Sequence, residues 1–252
     1  MCTLKTTLKA FGLFILTALA FACSDDDNGS SVTPITEGTA VTVGNGKAYA
    51  FIKHNADGTP SEIGVNFNEA SISGLPAHNQ SFVLPMPANN NTLINHIVFD
   101  YITEGSSIDA AYNAPHFAVR YYMISAQERE AITANDAKLG VLPAADFIPK
   151  NYTPDGNETA RGKGWTDSTA PEFSGKAFQS AIIYSSYNGK FIAISPLIDM
   201  AFIKTKPSTT TTMPQTAKVQ QTGVYPKAVT IQWEKDDGAY STSLSALTLR
   251  TQ

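Results

Sequence analysis

The stretch VTIQWEKDDGAYSTSLSAL, residues 229–247, decides the class of fold. Val229, Ile231 and Trp233 alternate with polar residues, as in a strand with one buried face, because successive side chains of a strand point to opposite faces. Asp237-Gly238 is a typical pair for a tight turn, and apolar residues recur in the segment that follows it. The stretch therefore predicts a β-hairpin.

Short segments with a similar strand pattern occur along most of the chain. Turn signals such as Gly44-Asn45-Gly46 separate them, and many short strands at fairly regular spacing are typical of a sandwich or a barrel. We predict an all-β fold, mainly an antiparallel sandwich or barrel. The further predicted strands are 39–43, 47–53, 62–68, 81–84, 94–102, 117–124, 181–186, 190–195 and 198–204.

One short helix is predicted near residues 126–138. Ser125 and Glu128 have the spacing of a capping box, in which each side chain binds the other residue's free backbone amide. Residues 143–177 are rich in Pro, Gly and Asp and are predicted to form a long loop layer. Residues 206–214 (KPSTTTTMP) are interpreted as a polar connector inside a single domain.

Composition indicates a folded protein and excludes one class of partner. The 252 residues are 42% hydrophobic and 16% charged, which is enough apolar material for a core. The formal net charge is −4, so the chain lacks the basic excess of nucleic-acid-binding proteins. We expect neither DNA nor RNA as a partner.

The first 37 residues predict export and lipid anchoring. Lys5 and Lys9 precede the apolar run 10–22, and Cys23 follows at once, which is the order of a secretory signal. The run is too short to span a bilayer. Residues 1–22 are therefore interpreted as a lipoprotein signal peptide, Cys23 as the lipidated residue, 23–37 as a flexible tether and 38–252 as a single β-rich domain.

The residues after Cys23 predict the destination. Asp25-Asp26-Asp27 resembles the acidic export tag of Bacteroidetes lipoproteins, which implies an outer-membrane location with the domain facing the cell exterior. The only other cysteine is Cys2, inside the signal segment. The mature chain then has no disulfide.

A search for complete catalytic motifs finds none in the sequence. There is no G-x-S-x-G, H-E-x-x-H, P-loop or C-x-x-C pattern. Four histidines remain as candidates for chemistry, and each is as readily a structural or surface residue: His54, His78, His96 and His116. In the strand that follows Pro115, residues 116, 118 and 120 should point to one face.

Several short motifs in a fixed order resemble a known family. From about Gly44 to Leu249 the chain is similar to a bacterial family of unknown function labelled TTHB-two-ten-like. The motifs are Gly44-Asn45-Gly46, Ile63-Gly64-Val65, Ser73-Gly74-Leu75-Pro76, Tyr112 with Pro115-His116-Phe117, Tyr122-Met123-Ile124-Ser125, Pro171-Glu172-Phe173-Ser174-Gly175 and Gly223-Val224-Tyr225-Pro226.

The resemblance implies a metal site that this chain has lost. The family carries His, Asp and Glu, which suit zinc, manganese or iron, at six positions of which this chain keeps only His116. Arg120 would place a fixed positive charge where the cation should sit. We therefore expect a vestigial site with no bound metal and no cofactor; its positions are Ser106, His116, Ala118, Arg120, Gly164 and Ser195.

Three functions remain open from the sequence. The first is a surface lipoprotein that acts as a non-catalytic binding module for a glycan, peptide or protein, through the cleft left by the lost metal. The second is an enzyme, either metal-dependent or with His116 paired to Asp100 or Glu104 as acid and base. The third is an assembly or structural subunit that forms a homo-oligomer. No catalytic residue is assigned.

Overall fold

Two antiparallel sheets face each other across one hydrophobic core. A computed structural model describes residues 34–103 and 110–252. The described residues form sixteen strands: β1 Ile35–Glu37, β2 Val41–Val43, β3 Gly46–His54, β4 Pro60–Asn68, β5 Gln80–Leu84, β6 His96–Ile102, β7 His116–Tyr122, β8 Tyr152–Glu158, β9 Gly162–Asp167, β10 Ser180–Tyr187, β11 Lys190–Asp199, β12 Ser208–Thr212, β13 Gly223–Tyr225, β14 Ala228–Glu234, β15 Ala239–Ser245 and β16 Thr248–Arg250.

The strands assemble into two seven-stranded sheets and one small ribbon. Sheet A has the order β1-β3-β4-β15-β14-β12, with β2 also paired to β3. Sheet B has the order β5-β6-β7-β11-β10-β9-β8, and β13 pairs with β16. The all-β sandwich is therefore confirmed.

Alternating apolar residues of both sheets fill the space between them. Phe67 of β4 packs against Phe99 of β6 and Phe117 of β7, with ring centroids 5.1 and 5.5 Å apart. The hydroxyl of Tyr121 in β7 donates to the carbonyl oxygen of Thr242 in β15 at 2.7 Å. The inner faces of the two sheets thus meet directly, and one hydrogen bond also joins them.

The helices are few and short. α1 covers Ala126–Glu130 and α2 covers Met200–Ile203; five 3-10 segments cover Glu69–Ile72, Ala110–Tyr112, Ala137–Gly140, Ala145–Phe147 and Pro171–Ser174. Within residues 34–103 and 110–252, neither α-helix has the length and apolarity needed to cross a lipid bilayer.

The predicted helix 126–138 begins where expected and ends early. The capping box is present, with both the Ser125 and the Glu128 side chain bound to the other residue's amide. The helix ends at Glu130 because Ile132 turns into a buried cluster under sheet B, and its carbonyl oxygen accepts from the amide of Ala160 instead.

Four predicted boundaries or assignments are wrong in detail. β1 lies in the segment assigned to the tether, and β8 and β9 lie in the expected loop layer 143–177. The predicted strand 198–204 is the end of β11 followed by α2, which the Asp199 side chain caps. The polar connector 206–214 contains β12, an edge strand paired with β14.

Candidate functional site

Five of the six positions of the expected vestigial site fall on the outer face of sheet B, away from the main core between the sheets. Ala118 packs there with Leu197 and Ile183 in a separate buried cluster. His116 and Arg120 share this face because they alternate with Phe117 and Val119, which belong to the core.

Two further positions reach the same face through the strand register. Ser195 of β11 pairs with Ile183 of β10, and Gly164 of β9 pairs with Ser185, two residues further along β10. The structure therefore brings five of the six positions to one face. The sixth, Ser106, lies outside the described residues, as do Glu104, the signal segment 1–22, Cys23 and the tether up to residue 33.

His116 is held by the backbone. Its Nδ1 lies 2.8 Å from the carbonyl oxygen of Ala114, to which the neutral ring donates, and its ring meets Phe178 edge-on at 5.7 Å. Burial lowers the pKa of His116, and the charges of Arg120 and Arg161 act in the same direction. The imidazole is therefore a neutral, buried group.

Arg120 belongs to a group of four charged side chains that we name the buried charge network: Asp100, Arg120, Glu158 and Arg161. Arg120 donates from Nε to Asp100 Oδ2 at 2.6 Å, and Arg161 Nη2 reaches the same oxygen at 3.1 Å. Arg161 Nη1 also binds Glu158 Oε2 at 2.6 Å. Two cations thus balance two carboxylates on the outer face of sheet B.

The two innermost members of the network are almost inaccessible to water. The side chain of Arg120 is 3% exposed and that of Asp100 is 1% exposed. Burial opposes ionisation of Asp100, but the guanidinium groups of Arg120 and Arg161 outweigh it, so the pKa of Asp100 lies below its ordinary value.

The residues at these positions do not fit a divalent metal. Ala118 and Gly164 have no side-chain donor, and the guanidinium of Arg120 fills space on the same face. Among the described residues, no group of three or more His, Cys, Asp and Glu side chains could hold a metal ion. The hydroxyl of Ser195 is buried there without a hydrogen-bond partner in the described part of the chain.

The structure does not pair His116 with Asp100 by a hydrogen bond. The Oδ2 atom of Asp100 accepts from two arginines, and His116 Nδ1 donates to the carbonyl oxygen of Ala114. Asp199 lies opposite His116 in the strand register, but its Oδ1 caps α2 by accepting from the amide of Phe202 at 2.8 Å.

His96 is a buried aromatic neighbour on the same face. Its ring is stacked on that of Tyr122 at 4.9 Å with an interplanar angle of 8°, and the guanidinium of Arg129 lies 5.5 Å from the Tyr122 ring centroid. Burial and the charge of Arg129 lower the pKa of His96. His96 is thus a buried aromatic residue, but neither of its ring nitrogens has a hydrogen-bond partner in the described part of the chain, so the expected alternative of a hydrogen-bonded core histidine holds only for its burial.

Sequence reasoning missed a groove at the end of the β10–β11 hairpin. We name it the aromatic groove and define it as two adjoining pockets that share Met123, Phe191, Gln220 and Tyr225. The larger pocket has a volume of about 490 Å³. Its wall also includes Tyr187, Asn188, Gln221, Lys138 and Lys190.

Loop contacts hold the walls of the aromatic groove in place. Gln220 Oε1 accepts from the amide of Phe191 at 2.9 Å, and the hydroxyl of Tyr225 donates to the carbonyl of Gln221 at 2.8 Å. The rings of Tyr187, Phe191 and Tyr225 are each half-buried. Two of the sequence motifs lie at this groove: Tyr122-Met123-Ile124-Ser125 contributes Met123, and Gly223-Val224-Tyr225-Pro226 contributes Tyr225.

Comparison with known proteins gives one partial match. The model of the family TTHB210-like, described as "Hypothetical protein TTHB210", matches residues 55–101. This range contains Asp100 but ends before all six positions of the expected vestigial site. Neither the curated proteins nor the solved structures give a match to this chain.

Proposed function

We propose that the protein is a surface lipoprotein whose β-sandwich is a non-catalytic, glycan-binding module. The observation that carries the proposal is the aromatic groove, which combines three half-buried rings with side-chain amides and lysines. We extend the family resemblance to the whole domain and interpret the outer face of sheet B as its degenerate metal site.

The composition of the groove suits a sugar chain. Tyr187, Phe191 and Tyr225 offer apolar ring surface against which the C–H face of a sugar can pack. Asn188, Gln220 and Gln221 carry amides, which can both donate to and accept from hydroxyl groups. A pocket of mixed apolar and polar lining is the usual form of a small-molecule site.

The buried charge network supports a non-catalytic module. A general acid or base needs access to its substrate and a pKa matched to its task, whereas the two innermost groups of the network are 3% and 1% exposed. The binding site is accordingly assigned to the aromatic groove and not to the positions of the lost metal.

The lipid anchor is tested with cells fed a labelled palmitate analogue. The full chain should carry the label in the wild type and in Cys2→Ala, because Cys2 lies in the segment that is removed, and should lose it in Cys23→Ala. Label that persists in Cys23→Ala would contradict anchoring at Cys23.

The glycan site is tested on the full chain with a panel of soluble xylan, mannan, β-glucan and chitin oligosaccharides. Tyr225→Ala should weaken binding roughly five- to thirtyfold, since an aromatic contact of this kind contributes on the order of 1–2 kcal/mol. Phe173→Ala removes an exposed ring outside the groove and serves as the matched control. Equal binding by both variants, or no binding of the wild type to any of these oligosaccharides, would refute the assignment.

The degenerate metal site is tested by elemental mass spectrometry on the full chain purified without chelator. We expect no stoichiometric transition metal in the wild type or in His116→Ala. A stoichiometric metal that is lost in His116→Ala would support the metal-dependent enzyme instead.

A further inference from the structure

A second pocket opens between the two sheets on the side where β12 and β14 face β8, β9 and β10. We name it the acidic pocket, and it has a volume of about 250 Å³. It shares only Pro214 with the residues of the aromatic groove. It is therefore a separate place in the fold, and the proposed glycan site does not use it.

Part of the wall of the acidic pocket is apolar. Ile182 and Pro196 of sheet B and Val229 and Ile231 of sheet A line it. Val229 and Ile231 are 3% exposed and belong to the main core. An occupant of this part must be hydrocarbon, because a polar group placed there would lose its hydrogen bonds to water.

Two carboxylates, those of Asp167 and Glu172, also line the acidic pocket. Asp167 Oδ1 accepts from the amide and the hydroxyl of Thr169 at 2.9 and 2.7 Å, and Glu172 Oε1 accepts from the hydroxyl of Tyr112 at 3.1 Å. Asp167 Oδ2 and Glu172 Oε2 have no hydrogen-bond partner in the described part of the chain, and both residues are half-buried.

Within residues 34–103 and 110–252, no positively charged side chain lines the pocket beside these carboxylates. Among the described lining residues there is no Lys, Arg or His. Neither Asp167 nor Glu172 forms a salt bridge with any residue in 34–103 or 110–252. The wall instead includes the rings of Tyr112 and Tyr152, and burial together with nearby Tyr184, Asp167 and Glu172 raises the pKa of Tyr152.

We propose that the acidic pocket binds an alkylammonium or alkylguanidinium group, with the cationic head at Asp167 and Glu172 and the hydrocarbon stem against Ile182 and Ile231. A cation would donate charge-assisted hydrogen bonds to Asp167 Oδ2 and Glu172 Oε2. Tyrosine rings beside it add cation–π attraction. The volume is below the usual range for drug-sized ligands, which suits a group of this size.

The test follows the isoleucine methyl resonances of the full chain by NMR during titration with butylguanidinium. Ile182 and Ile231 line the pocket and should shift, whereas Ile132, buried under the outer face of sheet B, should not. Butanol has a similar stem without the charge and should bind at least about tenfold more weakly. Equal methyl shifts with butanol and butylguanidinium, or no shift with either compound, would overturn the proposal. This test uses the wild-type chain alone.

The double variant Asp167→Asn/Glu172→Gln assigns the binding to the two carboxylates. Both substitutions keep the oxygen that accepts from Thr169 or Tyr112, so the local hydrogen bonds persist. We expect affinity for butylguanidinium to fall about tenfold or more, while the control Asp236→Asn, in an exposed hairpin turn, leaves it unchanged. Equal losses in the two variants would overturn the assignment.

Two further probes distinguish the source of the cation. N-acetyl-arginine methylamide and N-acetyl-lysine methylamide present the same groups as a peptide would. Tighter binding of these than of butylguanidinium identifies a peptide side chain, and weaker binding identifies a free small amine or guanidine. Tyr225→Ala, a substitution in the aromatic groove, should not change the affinities measured in these titrations. The two proposals can therefore fail or succeed separately.

Discussion

Replacing Arg120 by Met should destabilise the fold through Asp100. Methionine retains a flexible apolar stem but removes the guanidinium that donates to Asp100 Oδ2 at 2.6 Å. Removing one partner of a buried ion pair costs about 3–5 kcal/mol, because the remaining charge stays buried without compensation. Arg161 still reaches the same oxygen at 3.1 Å, so we expect the lower end, about 3 kcal/mol.

The loss is measured by urea denaturation of the full chain, followed by the fluorescence of Trp165, which is 1% exposed. A loss of about 3 kcal/mol should lower the urea midpoint at unchanged slope and reduce Tm by roughly 6–12 °C for a domain of this size. The control Lys53→Met breaks a salt bridge with Glu62 whose side chains are 30% and 18% exposed. It should cost at most about 1 kcal/mol.

A second variant separates the charge effect from lost packing. Asp100→Leu/Arg120→Met removes both buried charges and leaves Glu158 and Arg161 paired with each other. Apolar replacement of a buried pair is often neutral or stabilising, so the double variant should be more stable than Arg120→Met. A double variant less stable than the single one, or an Arg120→Met variant as stable as Lys53→Met, would refute the reasoning.

Three further predictions concern the fold. Burial holds the pKa of His96 below its ordinary value of about 6.5, so protonation of His96 at lower pH should destabilise the folded protein. Between about pH 8 and about pH 5, the urea midpoint should therefore fall less in His96→Phe than in the wild type. An equal fall of the midpoint in the two proteins would contradict this. Gly64→Ala should lower the free energy of unfolding by about 1–3 kcal/mol, because the added Cβ would lie 2.5 Å from the Phe51 ring. Gly156→Ala is the control, since its added Cβ meets nothing within 4 Å, and thermal melts compare the two variants. Ser125→Ala should cost about 1 kcal/mol by loss of the helix cap, and an unchanged Tm would argue against that cap.

The elements that could be predicted from the sequence are those with strong local signals. The hairpin of residues 229–247 forms as expected, with Trp233 opposite Tyr240 across β14 and β15. The capping box at Ser125 is also present. In both cases neighbours in the chain determine the structure.

The elements that were missed depend on partners far along the chain. β8 contains Pro154 and Gly156, which are typical of turns, and a shift in register between Pro154 and Asn157 accommodates them. β12 has no apolar alternation because all five residues are exposed at the sheet edge, so its strand character comes only from pairing with β14.

On the outer face of sheet B, too, local sequence patterns predict some features and not others. Alternation along β7 correctly places His116, Ala118 and Arg120 on one face. The partner of Arg120 could not be predicted in this way, because Asp100 comes from β6 and Arg161 from the turn between β8 and β9. The groove and the acidic pocket are likewise formed by segments that only the folded chain brings together.

Three contacts hold the turn between β8 and β9 against other parts of the fold. Arg161 binds Asp100, the carbonyl of Ala160 accepts from the hydroxyl of Tyr122, and the amide of Ala160 donates to Ile132. Among the described residues β8 is the last strand of sheet B, and it pairs there with β9. Because of the three contacts at the turn, the amide of Ala160 should be among the last of this hairpin to open in hydrogen exchange, so the hairpin stays closed at its tip.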